Sequence, residues 1–116
     1  MSRVLICGDR NWTNIESIRN AVAQFKPTLI IEGEAKGADT LGRMVAEELN
    51  IPTMRFPAEW GRYGKSAGPI RNQQMLDEGK PTLVLAFHSD IEKSKGTKDM
   101  VARATKACIA SIVFTR

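Results

Sequence analysis

The stretch Val4-Leu5-Ile6-Cys7-Gly8-Asp9-Arg10-Asn11-Trp12-Thr13-Asn14-Ile15-Glu16 carries the reading of the fold. It runs from consecutive apolar residues through a glycine and a polar turn into a helix start. An apolar run without alternation is how a strand buried on both faces reads. Thr13 through Glu16 spells a capping box, in which the Thr hydroxyl and the Glu carboxylate each satisfy an orphan backbone N–H, and it predicts a helix beginning at Asn14. Ile15, Ile18, Val22 and Phe25 then recur at helical spacing.

The same alternation continues to the end of the chain. Apolar runs at residues 28–31, 53–56, 82–87 and 109–114 follow the first at 4–7, and segments of helical length lie at 14–25, 38–49, 69–78 and 97–107. Lys26-Pro27, Asn50-Ile51-Pro52 and Gly79-Lys80-Pro81 punctuate the helix ends. Gly68-Pro69 places proline at a first helical position, and Thr97 offers a hydroxyl cap to the last helix. Strand and helix in strict alternation predict a single α/β domain over residues 1–116: a Rossmann-like, doubly wound parallel sheet of about five strands flanked by helices.

Composition supports an ordinary globular domain. Of 116 residues, 42% are hydrophobic and 26% charged, which excludes disordered, collagen-like and disulfide-scaffold classes. No apolar run approaches the length of a bilayer span, and Asp9 and Arg10 interrupt the start too soon for a signal peptide, so a cytoplasmic protein without membrane contact is expected. Cys7 and Cys108 each lie in an apolar run with no nearby Cys or His, which reads as two reduced core thiols rather than a metal site. No metal and no resident cofactor are expected. The net charge of +4 is uneven: residues 1–54 carry six basic and seven acidic side chains, residues 55–116 eleven and six. Such a field suits an anionic partner, be it nucleotide or nucleic acid, and equally serves solubility alone.

In an open parallel sheet, ligands bind beyond the carboxyl ends of the strands, so the strand-to-helix loops are where function is expected. Most of the glycines lie there. Glycine lets backbone N–H groups approach a phosphate, and a helix N-terminus adds partial positive charge, although tight turns alone also call for glycine. No complete dinucleotide or Walker fingerprint is present. The long loop 57–68 interleaves Trp60 and Tyr63 with Arg62 and Lys65, which suits a stacked base beside a phosphate, or else anchors the loop or a dimer contact. Arg71, read as lying in a helix's first turn, opposes the macrodipole at about 0.3–1 kcal/mol unless an anion binds there; pairing with Glu59 or another carboxylate is the alternative. Asn72 can both donate and accept, as ribose hydroxyls require. Asp39 opens a helix, where the dipole alone favours a carboxylate. His88 reads as a loop residue with no nucleophile or second ligand near it.

Taken together, Gly8-Asp9-Arg10, Gly33-Glu34-Ala35-Lys36-Gly37-Ala38-Asp39, Pro57-Ala58-Glu59-Trp60, Gly64-Lys65-Ser66-Ala67-Gly68-Pro69-Ile70-Arg71-Asn72 and Lys95-Gly96-Thr97 resemble the SLOG superfamily of Rossmann-like nucleotide-binding domains, and within it the YspA family. The resemblance implies a nucleotide-related ligand, of NAD, ADP-ribose or nucleoside-phosphate type. On this sequence it points to Gly8, Arg10, Gly33, Gly37, Ala38 and Asp39 in the first two loops. In the later ones it points to Trp60, Lys65, Gly68, Arg71, Asn72, Gly96 and Thr97. Two motif positions depart from the pattern: Asp9 replaces a hydroxyl, and Glu34 stands where a second glycine is usual.

The superfamily includes nucleoside monophosphate phosphoribohydrolases, which resemble this chain partly over Arg71 through Met75. Over Gly96-Thr97-Lys98-Asp99-Met100 the match is poor, because Met100 occupies the position of their catalytic Glu. Asp99, about 100° around the helix, is a weak substitute. The expectation is therefore a binding protein acting as sensor, carrier or sequestering protein, in homo-oligomeric form. A nucleotide N-glycosidic hydrolase and a single-stranded nucleic-acid binder are the alternatives.

Overall fold

A computed structural model describes residues 2–116. Five strands form one parallel sheet in the order β3-β2-β1-β4-β5: β1 (Arg3–Gly8), β2 (Leu29–Glu32), β3 (Thr53–Arg55), β4 (Leu83–Phe87) and β5 (Ser111–Phe114). The expected α/β doubly wound fold is thus observed. The helices are α1 (Ile15–Phe25), α2 (Ala38–Glu48), the single turn α3 (Trp60–Tyr63), α4 (Ala67–Gly79) and α5 (Gly96–Lys106). Among the described residues no helix is long and apolar enough to cross a membrane.

The consecutive apolar residues of the strands divide between two cores. Val4, Ile6, Ile30, Leu85 and Phe87 pack against Ile18 and Val22 of α1 and Val45 and Ala46 of α2. Leu5, Cys7, Ile31, Val84 and Ala86 pack against Met75 and Leu76 of α4 and Met100 and Ala104 of α5. Helices α1 and α2 therefore cover one face and α4 and α5 the other. The chain changes face between β3 and β4, so strand order reverses between the neighbours β1 and β4.

Local starts differ from the sequence reading in ways that short-range chemistry explains. The first helix is capped by Asn14, not Thr13: Asn14 Oδ1 accepts the Ser17 N–H at 3.2 Å, and Glu16 pairs instead with Arg19. Asn is at least as good a cap as Thr, and Ile15 fits as the first helical residue. Helix α4 begins at Ala67, two residues before Pro69, because Gly64–Ser66 already winds as a 3₁₀ turn and feeds it. Proline still sits where helix N–H groups have no partner. Thr97 does not cap α5 with its hydroxyl; its N–H donates to Ser94 Oγ at 2.9 Å. Cys7 is buried as expected, but Cys108 is exposed, at φ 61 just beyond α5.

Candidate functional site

Loops leaving β1, β2 and β4 and the start of α4 enclose a cavity of about 1040 Å³ at the carboxyl edge of the sheet, where strand order reverses. Gly8 and Arg10 line it from the first loop and Asp39 from the start of α2. Trp60 and Lys65 line it from the segment leading into α4 and Gly68 from the first turn of that helix, with Arg71 and Asn72 about one turn further on. Gly96, Thr97 and Asp99 close the side formed by α5. Residues far apart in sequence are thus brought together, with Trp60 59% exposed and free to stack. Tyr63 is not among the lining residues; its ring lies 4.9 Å from the Arg62 guanidinium.

Gly33, Gly37 and Ala38 stand behind this surface rather than on it. A Cβ on Gly33 would collide with the Arg71 guanidinium, and one on Gly37 with the backbone of Asp9 and Arg10. Gly37 also has φ 76, which only glycine adopts freely. Ala38 is fully buried and donates its N–H to Asp9 O at 3.1 Å. Gly37 and Ala38 thus hold the first two loops together, while Gly33 gives Arg71 room to lie against the second.

Arg71 is the fifth residue of α4, beyond the first turn, and it is not paired with Glu59, which lies beside Arg62. Its Nη1 donates to Gly33 O at 2.6 Å and its Nε to Asn72 Oδ1 at 3.1 Å. Asn72, 4% exposed, in turn donates to Gly96 O at 3.2 Å and Asp99 Oδ2 at 3.0 Å. The chain from Gly33 through Arg71 and Asn72 to Asp99 ties the β2 loop to α4 and α5 beneath the cavity.

Asp39 does more than complement a helix dipole. Its Oδ2 accepts the N–H groups of Gly33 at 3.0 Å and Ala35 at 3.2 Å, so it builds the second loop from inside. Burial pushes its carboxyl up to about 6, against the pull of the Ala35 N–H, the Arg71 guanidinium and the Gly33 N–H. Glu32, 1% exposed at the end of β2, is pushed up to about 7 by burial first and by Asp39 second. Its Oε2 accepts the Glu34 N–H at 3.3 Å, and its buried Oε1 has no partner among the described residues. The sequence signal was available: a carboxylate closing the apolar run of residues 28–31. Cys7 also lines the cavity, its thiol pushed up by burial.

Asp99 Oδ2 accepts from Arg103 Nε at 2.8 Å as well as from Asn72, so a guanidinium holds that carboxylate in place. Met100 is fully buried in the core under α5. A carboxylate introduced there would enter the core, not the cavity.

Glu34 lines the cavity and takes φ 57, the backbone state that glycine adopts without strain. Its carboxylate lies 3.8 Å from Arg55 Nη1. Glu34→Gly is expected to leave stability within about 0.5 kcal/mol, since relief of strain offsets the added freedom of the unfolded chain. It should tighten binding of an anionic ligand about two- to fivefold by removing one negative charge. Titration calorimetry with AMP on both proteins measures this, and weaker binding by the variant would place the anion elsewhere.

The sequence profile of the YspA, cpYpsA-related SLOG family matches residues 2–63. Gene 61 protein of Mycobacterium phage D29 is 32% identical over 124 residues, an alignment covering 98% of this chain and 97% of the phage protein. With the profile covering the first three strands and their loops, and a relative aligned along nearly the whole chain, this protein belongs to the YspA, cpYpsA-related SLOG family.

Proposed function

We propose that the cavity captures a nucleotide-derived small molecule of NAD, ADP-ribose or nucleoside-phosphate type, and that the protein works as a sensor, carrier or sequestering protein. Membership of the SLOG family suggests a nucleotide-related function. One observation carries the reading further: first-turn residues of α2, α4 and α5 line a single cavity together with Arg10, Lys36, Lys65, Arg71 and Lys95. Helix starts and cations converging at a switch point favour phosphate. Trp60 offers a face for a base.

The test is a thermal-shift panel of nucleoside monophosphates, ADP-ribose and NAD. A ligand at a hundred times its dissociation constant stabilises the fold by about 2.7 kcal/mol, a rise in melting temperature of about 10 °C. No shift with any of them at millimolar concentration counts against the proposal. Native mass spectrometry tests in the same sample for a co-purified ligand and for the homo-oligomer, which is part of this proposal and which the open edge of β5 favours.

The basic second half of the chain keeps single-stranded nucleic acid as a second reading. Binding through about six phosphates would weaken roughly a thousandfold between 50 and 200 mM salt, whereas one nucleotide in a pocket loses far less. Hydrolysis of a nucleotide is the weaker alternative, because Asp99 is held by Arg103 and Asn72 and the next position is the buried Met100.

A further inference from the structure

The strands that flank the reversal of order, β1 and β4, end at Gly8 and Phe87, which are in register. The next residue of each chain segment is Asp9 and His88, and both line the cavity. Each side chain has one polar atom fixed by its own loop. Asp9 Oδ1 accepts the Asn11 N–H at 2.9 Å, and His88 Nδ1 accepts the Asp90 N–H at 3.0 Å. Accepting at Nδ1 puts the proton of the neutral ring on Nε2.

The two remaining atoms, a donor at His88 Nε2 and an acceptor at Asp9 Oδ2, face each other at 3.9 Å, with side-chain exposures of 13% and 23%. Neither has a hydrogen-bond partner among the described residues. The gap is too long for a direct bond, yet shorter than two hydrogen bonds of about 2.8 Å laid end to end, so one oxygen can reach both. That oxygen must accept from Nε2–H and donate to the carboxylate. A hydroxyl does both; an ionised phosphate oxygen has no proton to give and is repelled by Asp9.

We propose that Asp9 and His88 form a hydroxyl-reading subsite that recognises a ribose hydroxyl of a nucleoside monophosphate at the switch point, leaving the phosphate to the cationic walls. This rests on the nucleotide reading above. The Asp9 carboxylate thus selects a hydrogen-bond donor in place of a phosphate.

Calorimetric titration with AMP, 2′-deoxy-AMP and 3′-deoxy-AMP tests it. The wild type should bind one of the deoxy compounds about tenfold or more weakly than AMP, as expected for loss of a charge-assisted hydrogen bond. In Asp9→Asn, which keeps the acceptor for Asn11 but turns the cavity-facing atom into a donor, and in His88→Phe, AMP and that deoxy compound should converge to within about twofold. Thermal melts verify that each variant folds, and either one suffices. Equal binding of all three nucleotides by the wild type overturns the subsite and leaves the nucleotide reading standing. A penalty that persists undiminished in a folded variant overturns it too. No binding of AMP also overturns it, and the ADP-ribose and NAD arms of the thermal panel then decide whether the nucleotide reading falls with it.

Discussion

At pH 8, Glu32→Gln is expected to be more stable than the wild type by about 2 kcal/mol, while at pH 4.5 the two should be nearly equal. Burial, and then the charge of Asp39, push the Glu32 carboxyl from its ordinary 4.5 up to about 7. The folded protein therefore holds this proton more tightly than the unfolded chain does. Between pH 4.5 and about 7 the folded state binds more protons, so stability falls as pH rises through that window and stays reduced above it. Asp39, moved from 3.8 up to about 6, works in the same direction over a lower window. Each tenfold tightening of the fold's hold on a proton corresponds to about 1.4 kcal/mol, and screening by solvent near the loop trims the total for Glu32 to about 2 kcal/mol. Gln keeps an oxygen for the Glu34 N–H and carries no charge to desolvate. Urea titrations at both pH values measure the difference. A wild type equally stable at pH 4.5 and 8, with no gain in the variant, would show that Glu32 is ionised at no cost and has found a partner for Oε1.

The fold was legible because its strands are buried on both faces, so that residues such as Val4, Leu5 and Ile6 announce them without alternation, and because the connecting helices repeat at 3.6 residues. The cavity was legible for a topological reason: a parallel sheet leaves few places for a ligand, and Gly8, Arg10, Trp60, Gly96 and Thr97 all fall at the edge it designates. What could not be read was direction and partnership. Gly33 and Gly37 look like any phosphate-cradling glycines until Arg71 and the Asp9 backbone are seen where their Cβ atoms would be. His88 looks like a loop residue because its neighbour, Asp9, is 79 positions away in sequence and one strand away in space. The unpartnered oxygen of Glu32 is likewise a fact of packing, and no periodicity encodes it.

Arg71→Ala is expected to lose AMP binding and also to destabilise the fold by about 2–3 kcal/mol. A cation at the start of a helix is a liability, and on sequence grounds its removal should leave the fold intact or slightly firmer. The structure reverses that sign. Arg71 lies beyond the first turn and hydrogen-bonds Gly33 O and Asn72 Oδ1, so truncation strips the donors from a half-buried carbonyl and a buried amide. It also removes the cation that holds the buried Asp39 carboxyl down, so Asp39 should rise further above 6 and the loss of stability should grow toward alkaline pH. Arg71→Lys separates the two contributions. It restores the charge near Asp39 but not the planar fork, so it should recover the pH dependence and only part of the stability. Equilibrium unfolding of the three proteins at pH 6 and 8, with AMP titrations alongside, reads both effects. If Arg71→Ala binds no AMP yet unfolds like the wild type at both pH values, the side chain serves the ligand alone and the bonds to Gly33 and Asn72 add nothing. If it binds AMP normally and is destabilised, Arg71 is a clasp between loops and the phosphate lies with Lys36, Lys65 and Lys95.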